Sequence, residues 1–153
     1  MSTLNRSVHV DNQTDIDIDD DLFEVVFQVI QKNEGLSESS FVNLLLSNDG
    51  SIKRYNRQYL GRDENTDVIS FQADLEGIPI LGDIIIDTNI ADIQKENRTI
   101  SEEMQILFLH GLLHLLNYDH LAAKQEKIMK EKEKQYLKCI LEKNNMEEST
   151  SCE

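Results

Sequence analysis

The chain has 153 residues, 39% of them hydrophobic and 29% charged, with a net charge of −14 and two cysteines. One domain of this length buries about 68–70% of the surface its unfolded form exposes, so a packed core is expected and wholesale disorder is not. The acidity argues against a general nucleic-acid binder, which carries a basic face, and Cys139 and Cys152 suggest neither a disulfide framework nor a CxxC pair, which fits a reducing, cytoplasmic setting.

The opening MSTLNRSVHV has no apolar core behind a basic start, so no signal peptide is expected. The longest apolar runs fall far short of the ~20 residues a membrane span needs, so no membrane partner is expected. SVHV alternates and reads as a first strand. DIDIDDD reads as a loop that ends in helix-capping aspartates. The helix after it carries Leu22, Val25, Val26, Val29 and Ile30 on one stripe and stops at Gly35. SSFVNLLLS has strand length and composition. Asn48, Asp49 and Gly50 form a turn, and residues 51–60 form a short helix.

That helix opens the one basic stretch. Residues 51–62, SIKRYNRQYLGR, carry Lys53, Arg54, Arg57 and Arg62 and no acid. Any contact with a polyanion is expected to start there, against the plainer reading of a solvated helix face. TDVISFQ and GDIIIDT read as two further strands around the turn EGIPI. In the second of these, Ile84 and Ile86 share one face and Ile85 takes the other. A helix at 88–96 follows. Thr99 with Glu102 forms a capping signal for a helix over 101–116. A long helix over 121–143 turns Leu121, Ile128, Met129, Tyr136, Leu137, Ile140 and Leu141 inward and its lysines and glutamates outward. NNMEESTSCE, residues 144–153, is a polar tail. No repeat or linker divides the chain. The fold class is α+β, a single domain over 1–145 with a mixed sheet of about four strands, about five helices and a zincin-like metal-binding helix, followed by the polar segment 146–153.

The chemistry concentrates in HGLLHLLNYDH, residues 110–120, which holds three of the four histidines. On a helix His110 and His114 lie one turn apart on one face, with Cβ atoms about 5–6 Å apart. Both rings can then reach one metal ion at about 2.0–2.1 Å. Their neighbours are almost all apolar, and a helix apolar on every side is buried. A buried imidazole needs a partner, since an unpaired polar group costs about 1–3 kcal/mol. A turn at Asn117, which tolerates a left-handed backbone, brings His120 back as a third ligand. Three ligands with one open position is the pattern of a catalytic zinc site. Asp119 is a candidate to orient a ligand. His9, in a strand, reads as incidental.

The same histidine spacing occurs in metzincin peptidases, but Gly111 stands where their glutamate base belongs. HGLLHLLNYDH resembles more closely the H-G-x-L-H-L-x-G-Y-D-H signature of the YbeY family of bacterial rRNA maturation factors, with Asn117 in place of a glycine. YNRQYLGRDENTDVISF is similar to that family's L-N-x-x-Y-R-x-K-D-x-P-T-D-V-L-S-F stretch at Asn56, Tyr59, Asp63, Thr66, Asp67, Val68, Ser70 and Phe71. LGDIIID resembles its L-G-D-I-x-I strand. Two departures stand out: Leu60 replaces an arginine and Asn65 a proline.

The resemblance implies a zinc-dependent, single-strand-specific endoribonuclease acting in 16S rRNA 3′-end maturation and ribosome quality control, in the cytoplasm. It implies one Zn2+ per chain on His110, His114 and His120. Its partners would be single-stranded 16S rRNA and ribosomal or assembly-factor proteins, with neither DNA nor membrane. Arg57 and Arg62 are the candidates for contact with the phosphate, standing in for the arginine replaced by Leu60. Tyr55, Tyr59 and Phe71 are candidates for base stacking, with core packing the plainer role for Phe71 and at least one of the tyrosines. Asp67 and Asp83 are weaker candidate carboxylates. Two rival readings are a zincin-like metallopeptidase and a non-catalytic, zinc-stabilised ribosome assembly factor.

Overall fold

The computed structural model describes residues 6–60, 66–73, 75–118 and 122–145, with the backbone alone at 59 and 60. Within them the chain runs β1 (Val8–Asn12), α1 (Asp21–Asn33), β2 (Phe41–Ser47), α2 (Ser51–Leu60), β3 (Val68–Gln72), β4 (Ile80–Asp87), α3 (Thr88–Gln94), α4 (Ile100–Leu115) and α5 (Ala123–Asn145). The four strands form one sheet in the order β1-β2-β4-β3. The first three are parallel, and β3 runs antiparallel to β4 at one edge. A parallel pair needs a crossover, and α1 supplies it between β1 and β2. The α+β domain with a mixed sheet expected from the sequence is therefore the architecture observed.

Strand periodicity sorts the core into two layers. Val42, Leu44, Leu46, Ile84 and Ile86 point to one face, where Phe23, Phe27 and Ile30 of α1, Phe108 and Leu112 of α4, and Tyr136 and Ile140 of α5 cover them. The opposite face is thinner. There Ile52 of α2 packs on Ile69 and Ile85, with Leu45, Tyr55 and Phe71 around them. Ile85 is thus buried on the side away from Ile84 and Ile86, as the alternation predicts.

Local chemistry fixes the element ends. Asp19 Oδ1 accepts the Asp21 N–H at 3.0 Å where α1 begins, and Gly35 takes a φ of +65° after it ends. Asp49 Oδ1 accepts from the Ser47 hydroxyl at 2.8 Å and from the Ser51 N–H at 2.9 Å. These bonds, the Ser47 hydroxyl first, lower the Asp49 carboxyl to about 2. At α4, Thr99 and Glu102 form the reciprocal capping box read from the sequence.

Two helix faces differ from expectation. In α1, Phe23 and Phe27 are buried with Val26, Val29 and Ile30, while Leu22 and Val25 are half-buried. The rings carry more apolar area than the residues they displace, so they take the centre of the buried face. Phe23 meets Phe108 edge-on, with centroids 5.4 Å apart. In α5 the buried set is Met129, Tyr136, Cys139 and Ile140, whereas Ile128 is 41% exposed. Leu121 lies outside the described residues. Among those described, no helix is long and apolar enough to cross a membrane.

Candidate metal centre

α4 lies against the sheet and is apolar nearly all round. Met104, Phe108, Leu109, Leu112 and Leu113 are buried, while Ile106, His110 and His114, each four residues apart, form a half-buried stripe. The two imidazoles therefore sit on the one partly open seam of an otherwise enclosed helix. Their ring centroids are 4.6 Å apart, and Nε2 of His114 is 3.0 Å from Nε2 of His110. Two nitrogens bound to one ion at about 2.0–2.1 Å and a tetrahedral angle stand about 3.3 Å apart. The observed pair falls within a few tenths of an ångström of that spacing, and nitrogen donors suit zinc.

A carboxylate completes the arrangement around His110. Glu133 Oε2 of α5 is 2.8 Å from His110 Nδ1. If Glu133 accepts the Nδ1–H, the lone pair of His110 is placed on Nε2, on the side of His114. Sequence reasoning missed Glu133, assigning it to the solvated face of α5. A signal was available: Glu133 lies four residues after Met129 and three before Tyr136, on the helix stripe that turns inward.

The end of α4 carries the left-handed residue expected at Asn117. Asn117 has a φ of +74°. The Asn117 N–H donates to His114 O at 3.0 Å, and the Tyr118 N–H donates to Leu113 O at 3.0 Å. This pair of bonds is a Schellman turn. Asparagine adds something glycine lacks, since its Oδ1 accepts from Gln72 Nε2 at 2.7 Å while the same nitrogen also donates to Leu115 O at 3.0 Å. The Tyr118 hydroxyl then donates to Glu34 Oε1 at 3.0 Å, and the Tyr136 hydroxyl donates to Glu34 Oε2. Burial first, and donation to Glu34 second, push both phenols above their ordinary range.

His120, the third expected ligand, and Asp119 lie outside the described residues. Among the described residues no group of three histidines, cysteines or carboxylates could hold a metal ion.

Position 111 explains its own glycine. A Cβ there would stand 2.9 Å from Ile84 Cγ2 and 3.1 Å from Ser70 Oγ. The Ser70 hydroxyl donates to Gly111 O at 3.1 Å. The helix thus lies close on the sheet, and a glutamate at 111 would be driven into Ile84. Gly82, on β4, is equally constrained, because a Cβ would fall 2.2 Å from Phe71 O.

The other candidates are dispersed. Arg57 stands exposed on α2, which packs on the sheet face opposite α4. Arg62 lies outside the described residues, as does the Leu60 side chain. Asp67 Oδ2 accepts from Gln94 Nε2 at 2.9 Å, so its place is in the packing of α3 against the β3 end. Asp83 Oδ1 accepts from Asn43 Nδ2 at 2.9 Å. Asp83 and Asn43 line a cavity of about 460 Å³ with His9, Asp11, Tyr55 and Phe71, on the face away from His110 and His114. Tyr55 and Phe71 are half-buried there, with ring centroids 6.4 Å apart. His9 stacks on Phe41 at 4.9 Å.

Fold and site together define a single α+β domain built on a mixed sheet, with a histidine-bearing helix packed against it. The solution structure of TM1509 from Thermotoga maritima is similar over 95% of this chain and 99% of its own, with a TM-score of 0.59 and 25% sequence identity. The family model described as Endoribonuclease YbeY matches residues 8–140. The Endoribonuclease YbeY of Pelotomaculum thermopropionicum is 40% identical over 120 residues, covering 72% of this chain and 78% of the relative. That of Bacillus subtilis is 35% identical over 127 residues, covering 74% and 81%. The chain belongs to the YbeY family.

Proposed function

We propose that this chain is a zinc-dependent, single-strand-specific endoribonuclease that acts in maturation of the 16S rRNA 3′ end and in ribosome quality control in the cytoplasm. One observation carries the reading within the family: His110 and His114 aim their Nε2 atoms at a common point on the partly open seam of a buried helix. His110, His114 and His120 would hold one zinc ion. When bound, zinc supplies Lewis acidity, which polarises a phosphoryl oxygen and favours ionised water at neutral pH.

The protein's own groups do the rest. Glu133 holds His110 through Nδ1. Gly111 lets α4 seat against β4, which fixes the height of both rings over the sheet. The Schellman turn at Asn117, pinned by Gln72, ends α4 three residues before His120. Arg57, on the sheet face opposite α4, would meet phosphates of the bound strand away from the metal, and Arg62 is the second candidate for phosphate contact. Single strands are favoured over duplex because only unpaired bases can splay onto side chains such as Tyr55. Ribosomal RNA and ribosomal or assembly-factor proteins are its partners. With a net charge of −14 the RNA contact is confined to the basic 51–62 segment, so binding depends steeply on salt.

The test is to purify the chain, quantify bound metal, and offer single-stranded RNA, duplex RNA and casein with and without chelator, beside His114→Ala. Chelator-sensitive cutting of single-stranded RNA, lost in His114→Ala, is the expected result. Casein cleavage would point instead to a metallopeptidase, a reading weakened by the lack of room at position 111. Bound zinc with all substrates intact would make the protein a non-catalytic assembly factor. A log–log salt slope of RNA binding near zero would remove the phosphate contact.

A further inference from the structure

We infer that α5 is the outer support of the metal site, with Glu133 and Tyr136 as its two positioning residues. This rests on the zinc reading above. Glu133 and Tyr136 are three positions apart and so project from the same side of α5. Glu133 reaches the ring of one expected ligand, and Tyr136 reaches, through Glu34, the turn after α4.

Glu133 acts on the helix that carries the first two ligands. A neutral imidazole carries one proton on either nitrogen, and the hydrogen bond made by one nitrogen decides what the other presents. With Glu133 Oε2 at 2.8 Å from Nδ1, the proton is held there and Nε2 is left as an acceptor beside His114. The Glu133 side chain is 25% exposed, so the bond is partly shielded from competing water. An outer carboxylate of this kind orients a ligand ring and raises its basicity.

Tyr136 acts on the turn that follows α4. Its ring is fully buried, and its hydroxyl donates to Glu34. Glu34 is the C-cap residue of α1, a place where the helix dipole disfavours a carboxylate. Lys132 brings a cation to Glu34, with Nζ 3.8 Å from Oε2. A locally unfavourable residue that persists is accounted for by what it holds. Glu34 holds Tyr118 as well as Tyr136, and Tyr118 lies two residues before His120. One carboxylate therefore ties α1, α5 and the turn after α4.

The experiment measures zinc affinity by competition with a chromophoric chelator, and the His110 tautomer by ¹⁵N-correlated NMR of the metal-free protein. The variants are Glu133→Ala, Glu133→Gln, Tyr136→Phe and the pair Tyr136→Phe with Tyr118→Phe. Glu133→Ala should bind zinc about 10–100-fold more weakly and show a mixture of His110 tautomers. Glu133→Gln, whose amide oxygen still accepts the proton, should recover most of the affinity. Tyr136→Phe should release zinc several-fold faster, and adding Tyr118→Phe, which removes the turn's own bond to Glu34, should quicken release further. If Glu133→Ala is poorly folded, Glu133→Met fills the same space without an acceptor. Wild-type affinity together with an unchanged tautomer in Glu133→Ala overturns the inference. A wild-type protein that ignores zinc overturns the metal reading instead, and the tautomer measurement still decides the role of Glu133.

Discussion

Replacing Gly111 with alanine sets two effects against each other. Alanine is the better helix former by about 0.8–1.0 kcal/mol, so on an exposed helix the change would stabilise. Here the new methyl would sit 2.9 Å from Ile84 Cγ2, 3.1 Å from Ser70 Oγ and 3.2 Å from Ile84 Cδ1. Ile84 is fully buried on β4, which is flanked by β2 and β3, so it has little room to yield. Overpacking of this kind costs about 1–3 kcal/mol. The difference is a net loss of roughly 1 kcal/mol, read as a lower urea midpoint at unchanged slope. In an Ile84→Ala background the same methyl enters vacated volume and should be neutral or stabilising. The two changes should therefore couple by about 1–2 kcal/mol. A Gly111→Ala protein that is more stable than wild type by the full propensity gain would refute the close seating of α4 on β4.

Other outcomes follow from the same contacts. Thr99→Ala should cost about 1 kcal/mol in chemical denaturation by removing the cap of α4, and Thr99→Ser should not. Asn117→Val should cost about 1–2 kcal/mol because a β-branched residue must take a positive φ, whereas Asn117→Gly should lose only the bond from Gln72. Because Tyr136 titrates higher in the folded chain than in the unfolded one, its contribution is intact below the ordinary tyrosine value of about 10 and fades as pH climbs through the folded value. Thermal stability should drop above pH ~10, and Tyr136→Phe should flatten that drop.

Signals within a few residues were legible in the sequence. Thr99 with Glu102, Gly35 and Asn117 each mark a boundary through bonds or dihedrals that span one turn of chain, and the structure has all three. Helix faces were less so. Phe23 and Phe27 share the α1 stripe with several aliphatic residues, and only the partner surface, with Phe108 edge-on, decides which residues lie deepest. Glu133 was missed for a different reason, its spacing from Met129 and Tyr136 being outweighed by its surroundings. Its partner is 23 residues away, and its neighbours are charged, so local pattern assigns it to solvent. The spacing of His110 and His114 was readable because a single helix fixes it. The place of β1 beside β2 was not, because strand order is settled by packing across the whole chain.

The order in which the chain is made adds a constraint. His110 and His114 are synthesised before Glu133 and Tyr136, and synthesis proceeds at about 5–20 residues per second. Until α5 has emerged and docked, both imidazoles border a core that still lacks Met129, Tyr136 and Ile140. A nascent or truncated polypeptide ending before α5 can form the strands and still leave these rings unorganised. The competence of the centre is thereby tied to completion of the C-terminal helix, and a chain cut short there should be inert as well as unstable.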